Sequence, residues 1–525
     1  MYSTNIYRPE SRKEDRERRR SRKADLTVNT KEIKHEAGEN LASHWSIQLE
    51  HMKYCGPACE KGITPIQGFS DSNLHPKVIE NAKTLFDELS PLQRYSLPVL
   101  MNDNNHLLVH AQTGSGKTAA FILPAIQLVL NSKKVESNET PLVLILENTG
   151  SLALQTFLHC SQFAGFTYKT RETTTGCRVS LLTSGADSKA YGQFKTTGDI
   201  VVGTMGSIKR ELDEKKLNLK KLKLLVLDEA DKMMDSQAFG REIIEVYENH
   251  IPEETQASLQ VAMFSATYET MEQDLVFTNV MNILFNDVTK VNCLIAPKIR
   301  GFITQRVISI AVPNTLVLET PDVMISCCAF QRKIRWLESL LNEDLIEQNV
   351  SQQGPFKGVT IVFCSTRRLC NYLSTYLSSR GYNVAPYNSD FDLTYSSAVH
   401  SRAREGKVQA VVATNKIARG LDIQNIFHVI IFDMDEDFSI YEHRIGRTGR
   451  AGHGGKSTIL FDENRDFKMA LSLHRFFVEH GQPIPKWLDN AAESIRSQTE
   501  VLMKHRALCQ PVDDDDAEDV IPEFH

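Results

Sequence analysis

The run from Val109 to Thr118 (His110, Ala111, Gln112, Thr113, Gly114, Ser115, Gly116 and Lys117 between them) has the residue types of a phosphate cradle. Backbone N–H groups of Gly114, Ser115 and Gly116 can converge on phosphate oxygens because glycine permits close approach, and a helix N-terminus adds positive potential. Lys117 would neutralise β/γ-phosphates and Thr118 would offer a hydroxyl to Mg²⁺. Ala111 stands where the common pattern has Gly. Further on, Asp228, Glu229, Ala230 and Asp231 follow an apolar run. Beside a phosphate loop, the first acid past a strand coordinates Mg²⁺, and its neighbour can orient or activate an attacking water. Later still, Arg419 and then His443, Arg444, Arg447 and Arg450 lie among glycines, a set suited either to phosphate charge or to a structural ion-pair cluster. Arg447 and Arg450, three apart, would project from one face of a helical turn. Phe69 and Gln93, ahead of the loop, could sandwich and hydrogen-bond an adenine; a core Phe and a helix-capping Gln would look the same.

These residues need elements to aim them. Leu107 to Val109 reads as a strand and Ala119 to Leu130 as a helix. Short β-rich runs then alternate with helix-length stretches: Leu142 to Leu146, Ile200 to Gly203, Leu224 to Leu227 and Val261 to Phe264. That is the signature of a parallel α/β sheet, whose ligands sit at the carboxyl ends of the strands. A second alternation starts near Gly301, with strands at Val359 to Phe363, Ala410 to Ala413, Val429 to Phe432 and Thr458 to Phe461, and no phosphate loop.

The chain of 525 residues exceeds one core, and its net charge of -6 announces no general basic surface, so a nucleic-acid site must be a local groove. No apolar run approaches a membrane span, and Met1 to Arg20 lacks the apolar centre of a signal peptide; an intracellular protein is expected, cytoplasmic or nuclear. Ten cysteines, several in apolar runs (Cys327, Cys328, Cys364), read as reduced core thiols. Cys55 and Cys59 have no second pair at zinc-like spacing. Residues 12–23 carry eight basic and three acidic side chains, and Asp513 to Asp516 are consecutive; both tails are expected to be disordered.

Taken together in chain order, Phe69 with Gln93, the phosphate loop, Asp228 to Asp231, Ser265-Ala266-Thr267, Arg419 to Asp422 and His443 to Arg450 resemble the DEAD-box RNA helicases of superfamily two, over roughly Ile63 to His474. The lead-in Thr64 to Ile66 is most similar to the Vasa and Belle group. The resemblance implies two tandem RecA-like α/β domains, at 63–290 and 302–475, joined by a linker at 291–301. A basic disordered extension at 1–62 and a C-terminal extension with an acidic tail at 476–525 would flank them. It implies that ATP and Mg²⁺ are bound, with Phe69 and Gln93 on adenine, the loop from Gly114 to Thr118 on phosphate, Asp422 on ribose, and Mg²⁺ held through Thr118 and Asp228. Glu229 would position and deprotonate water, and Arg447 and Arg450 would act as arginine fingers. Ser265, Thr267, Asp231 and His443 would couple hydrolysis to the second domain, and Thr149, Thr204 and Thr414 would donate to an RNA backbone. The implied partner is single-stranded or locally duplexed RNA, bound by a monomer, with protein partners reached through the tails.

Departures from the family pattern fall on positions of RNA contact or interdomain communication, not on the ATP side. Gly150 and Ser207 stand where arginines are usual, Ala186 replaces a Gly, Leu393 to Ser396 replaces Gln-x-x-Arg, and Asn415 replaces an Asp. The expected activity is RNA-stimulated ATP hydrolysis with local strand separation; the alternative is an ATP-binding RNA clamp or scaffold with little unwinding. A phosphate-loop kinase or transporter would lack the second domain.

Overall fold

The computed structural model describes residue 45 and residues 52–508, apart from 103–104, 112–113, 133–139, 168–171, 184–197, 235–236, 266–274, 286–290, 296–302, 312–321, 392, 416–422, 424 and 450–453. Both tails expected to be disordered, 12–23 and 513–516, lie outside these residues. The chain divides into two compact units at Ile299/Arg300.

The first unit is built on a sheet of eight strands. In chain order its strands are β1 (Lys53–Cys55), β2 (His106–His110), β3 (Val143–Glu147), and, after a two-stranded hairpin of β4 (Phe166–Thr167) and β5 (Glu172–Thr173), β6 (Val179–Leu182), β7 (Ile200–Thr204), β8 (Leu224–Leu227), β9 (Gln260–Ser265) and β10 (Val291–Ile295). Their order across the sheet is β1-β10-β2-β9-β8-β3-β7-β6, and every neighbour except β1 is parallel. The central strands β2, β3 and β8 are buried along their whole length, as strands covered by helices on both faces must be. The helices that matter for the site are α1 (Pro91–Leu100), α2 (Lys117–Asn131), α3 (Gly150–Phe163) and α4 (Met205–Asp213).

The second unit carries β11 (Ile303–Ser309), β12 (Val359–Cys364), β13 (Val384–Tyr387), β14 (Ala410–Thr414), β15 (Ile426–Ile431) and β16 (Gly455–Phe461), all parallel, in the order β11-β16-β15-β12-β14-β13. One apolar cluster, with Ile361, Val411 and Phe477, and a second, with Leu337, Val362 and Leu373, pack around it. Its principal helices are α5 (Asp322–Gln348), α6 (Arg367–Ser379), α7 (Phe438–Ile445), α8 (Ala470–Glu479) and α9 (Lys486–Leu508). A polar knot lies inside it: Asp344 of α5 receives His428 Nδ1 at 2.9 Å and Thr360 Oγ1 at 2.7 Å, and His428 Nε2 meets Thr458 Oγ1 at 2.9 Å. Among the described residues, no helix is long and apolar enough to cross a membrane.

Several boundaries differ from the expectation. Val291–Ile295, placed in the linker, is strand β10, paired with β2 from Val291↔His106 to Ile295↔His110. Lys53–Cys55, placed in the disordered extension, pairs antiparallel with β10, and the helix Pro57–Glu60 follows it. Ala58 N–H donates to Asn292 Oδ1 at 2.8 Å. At the other end α9 buries Leu488 in the second core, with Trp487 and Ile495 packed against it, so the stretch after 475 begins as part of that domain. Cys364 is a core thiol, but Cys327 and Cys328 are exposed on α5.

Candidate active site

In the first unit the chain leaves β2 at His110 and enters α2 at Lys117. Gly114 and Gly116 take φ of 85° and 89°, values that glycine adopts without steric cost. A Cβ on Gly116 would also lie 2.6 Å from Gln93 Nε2 and 2.8 Å from Ser90 Oγ. Ser90 Oγ donates to Ser115 O at 3.0 Å and Gln93 Nε2 to Gly116 O at 3.2 Å, fixing the loop to the start of α1. No side chain caps α2, so its first N–H groups remain available to an anion. Lys117 is 9% exposed and donates to Ala111 O at 2.8 Å. Thr118, half-buried, follows it on α2.

Gln93 is a capping residue: Ser90 N–H donates to its Oε1 at 2.9 Å in a capping box, while its amide nitrogen touches the loop. Phe69 is buried and stacks on Phe86 with ring centroids 5.9 Å apart.

The carboxylates stand at the ends of neighbouring strands. Asp228 and Glu229 follow β8, and Glu229 adopts φ 51°, a turn in which Asp228 Oδ1 accepts the Glu229 N–H at 2.9 Å. Burial, opposed by the Lys117 ammonium, lifts the Asp228 carboxyl to about 6, with Glu229 adding to the rise. Glu229 is buried, and its Oε2 has no hydrogen-bond partner among the described residues. Asp231 is buried in the first turn of the helix Ala230–Met234. Ser265 ends β9, and its carbonyl accepts Ala111 N–H at 2.9 Å. Phosphate loop, Lys117, Asp228, Glu229 and Ser265 thus converge on one edge of one sheet.

Sequence reasoning missed Glu147. It ends β3 beside this group, fully buried, with Oε1 accepting from Thr156 Oγ1 and Oε2 without a hydrogen-bond partner among the described residues. Burial raises its carboxyl well above the ordinary value, and nearby Asp228 raises it further. The available signal was a charge closing an apolar strand, the pattern that exposed Asp228.

Glu147 pairs in register with Thr204 of β7, so α3 and α4 start side by side. Thr149 caps α3, accepting Leu152 N–H at 3.3 Å. Thr204 occupies the N-cap of α4 without capping it and donates instead to Ser207 Oγ at 3.3 Å. Gly150 and Ser207 therefore lie in the first turns of adjacent helices.

Among the described residues, no group of three His, Cys, Asp or Glu can hold a metal alone. The Asp228 carboxylate and the Thr118 hydroxyl are oxygen donors of the types that suit Mg²⁺, which keeps several waters and takes one or two protein ligands beside substrate phosphates.

In the second unit Thr414, buried, ends β14, and Asn415 follows it. His443 and Arg444 lie in the last turn of α7. Arg447, 6% exposed, folds back so that Nε donates to His443 O at 3.3 Å. Arg447 stands just past α7, which ends at Ile445, and Gly449 takes φ 67° after it. Arg450, Asp422 and Thr267 lie outside the described residues.

Residues 90–275 match the family model for DEAD/DEAH box helicases, and residues 333–452 that for the helicase conserved C-terminal domain; together they take in more than half of the chain. ATP-dependent RNA helicase glh-1 of Caenorhabditis elegans is 30% identical over 443 residues, 82% of this chain and 53% of that protein. ATP-dependent RNA helicase vasa of Drosophila melanogaster is 27% identical over 426 residues, 81% of this chain and 57% of that one. The chain thus spans little more than half the length of these relatives. The structure of S. cerevisiae Dbp5 bound to RNA and ADP BeF3 shares the fold, with a TM-score of 0.61 at 23% identity over 82% of this chain and 99% of Dbp5.

Proposed function

Because the chain belongs to the DEAD/DEAH box helicase family, we propose that it hydrolyses ATP when RNA is bound, gripping the sugar-phosphate backbone without reading sequence and separating short duplexes locally. The observation that carries this is the convergence of the Gly114 to Lys117 loop with Asp228, Glu229 and Ser265 at the carboxyl edge of the first sheet. In this reading the α2 N-terminus and Lys117 hold the triphosphate, and Asp228 with Thr118 holds Mg²⁺. The metal, when bound, draws charge from the phosphate oxygens. Glu229, buried with a carboxylate oxygen that has no hydrogen-bond partner among the described residues, takes a proton from the attacking water. Gln93 and Phe69 border the base, and Asp422 the ribose. Ser265, Thr267, Asp231 and His443 relay the state of the nucleotide. Arg447 of the second unit and Arg450 supply positive charge to the transition state, and Thr149, Thr204 and Thr414 face RNA phosphates.

The test is single-turnover hydrolysis by the full chain with and without single-stranded RNA. Stimulation of about 10³-fold is expected for arginine fingers engaged only with RNA present; a rate indifferent to RNA would sink the proposal. A second reading, an RNA-dependent scaffold with little unwinding, is favoured by one observation: neither Gly150 nor the buried Ser207 offers a cation at its helix N-terminus. RNA-stimulated hydrolysis without release of a short duplex strand would select it.

A further inference from the structure

Arg444 is a cation with 2% exposure, and the groups to which it donates are neutral. Its Nε and Nη2 donate to Asn415 Oδ1 at 2.8 and 2.5 Å, its Nη1 to the main-chain oxygen of Asp433 at 2.7 Å, and its guanidinium lies 5.4 Å from the centroid of the Phe363 ring. None of these direct hydrogen bonds reaches a carboxylate. The Asp433 carboxylate is already engaged by Lys333 and Arg465, each at 3.4 Å, and by Ser365 Oγ at 3.0 Å. What remains is Asp435, in the connection from β15 to α7. Its Oδ2 accepts Asn415 Nδ2 at 2.5 Å and stands 3.7 Å from Arg444 Nη2. Asn415 can serve both sides because an amide has an acceptor for the guanidinium and donors for the carboxylate.

We propose that Asp435, acting through Asn415, is the counter-charge that positions Arg444 and, with it, the turn carrying Arg447. Arg444 links three places: the end of β14 with Thr414 and Asn415, the end of β15, and the last turn of α7, from which the chain enters the Arg447 turn through Gly446. A buried guanidinium without a nearby carboxylate is driven toward water, and moving it rotates α7. Burial already draws Arg444 down to about 10, against the opposing pull of Asp435 and then Asp433. Asp435 is therefore a positioning residue for the hydrolysis proposed above and rests on that reading for its effect on rate, while its effect on α7 stands apart from it.

The experiment transposes the charge in the full chain. Asp435→Asn keeps the Oδ1 that accepts the Asp437 N–H at 3.3 Å and removes the charge together with the Oδ2 that accepts from Asn415 Nδ2. Asn415→Asp with Asp435→Asn puts the carboxylate directly on Arg444. For Asp435→Asn, kcat of RNA-stimulated hydrolysis is expected to fall about tenfold, equivalent to about 1.4 kcal/mol, with KM for ATP unchanged. Hydrogen exchange of residues 438–446 should rise with it. The double variant is expected to restore both. A double variant no better than Asp435→Asn, or an Asp435→Asn protein that exchanges like the parent, overturns the inference. Because the double variant is read directly, the decision holds even where the single one folds poorly. If the parent shows no RNA-stimulated hydrolysis, the functional reading falls, and hydrogen exchange alone decides the relay.

Discussion

Glu229 holds strain where the proposed chemistry is done. Its φ of 51° is a conformation that costs a residue with a Cβ about 1–3 kcal/mol, and the surrounding sheet edge imposes it. Glu229→Gln keeps shape and strain and removes the base, so turnover should fall by about 10²–10⁴ while nucleotide binding persists; turnover at the parental rate would show that the base lies elsewhere. Glu229→Gly should be equally inactive yet more stable by about 1 kcal/mol, read as a higher urea midpoint. At this scale the phosphate loop was legible because its glycines and lysine have no common alternative use in that order. Glu147 was not, since one acid at a strand end acquires meaning only when β8 is known to lie beside β3. The Gln93 side chain had two readings because one amide can cap α1 and also touch the loop at Gly116.

Among the elements, the start of α3 offers a direct trial of the missing cation. Among the described residues, a Cβ at Gly150 would find no atom closer than Thr183 Cβ at 3.9 Å, which leaves room for an arginine, whereas Ser207 is buried. Gly150→Arg should therefore tighten RNA binding and steepen log affinity against log salt by about 0.7, one phosphate for a single strand; an unchanged slope would mean that this helix end does not face phosphate. In the second unit the Asp344 knot predicts a pH response. Hydrogen bonds from His428 and Thr360 outweigh burial and hold the Asp344 carboxyl below its ordinary value. Its stabilisation is thus present above the unfolded value and lost as pH falls through the folded one. Asp344→Asn should cost about 3–5 kcal/mol at pH 7, a penalty that shrinks on acidification; a pH-independent difference in urea midpoint would refute the ionised assignment. The strands were legible as apolar runs because parallel strands bury both faces. The edges were not: β1 has three residues, and its partner lies more than two hundred residues away. In α5, Cys327 and Cys328 sit in an apolar stretch but face outward, since helical periodicity, not local hydropathy, decides the buried side.

For the whole molecule, the proposed reaction divides its parts between two units: Lys117, Asp228 and Glu229 belong to the first and Arg447 to the second. Arg447→Ala should lower RNA-stimulated hydrolysis by about 10³-fold or more with ATP affinity retained, and Lys117→Ala should weaken ATP binding itself; loss of affinity in both variants would argue that Arg447 serves the nucleotide's ground state. The two-domain plan was legible because each half repeats the strand and helix alternation, but the junctions were not, since Val291–Ile295 is a five-residue run broken by Asn292 and shows itself as a strand only when paired with β2. The short strand β1 also bears on how copies of this chain behave in company. It occupies the open side of β10, with Cys55 facing Cys293 and Gly56 so close to Val291 that a Cβ would lie 2.5 Å from its carbonyl oxygen. An uncovered edge is a template for another strand. A chain trimmed to begin at Gly62 would keep the phosphate loop but bare that edge, and light scattering should then reveal self-association rising with concentration, so that Lys53–Cys55 act as a guard against the protein's own kind.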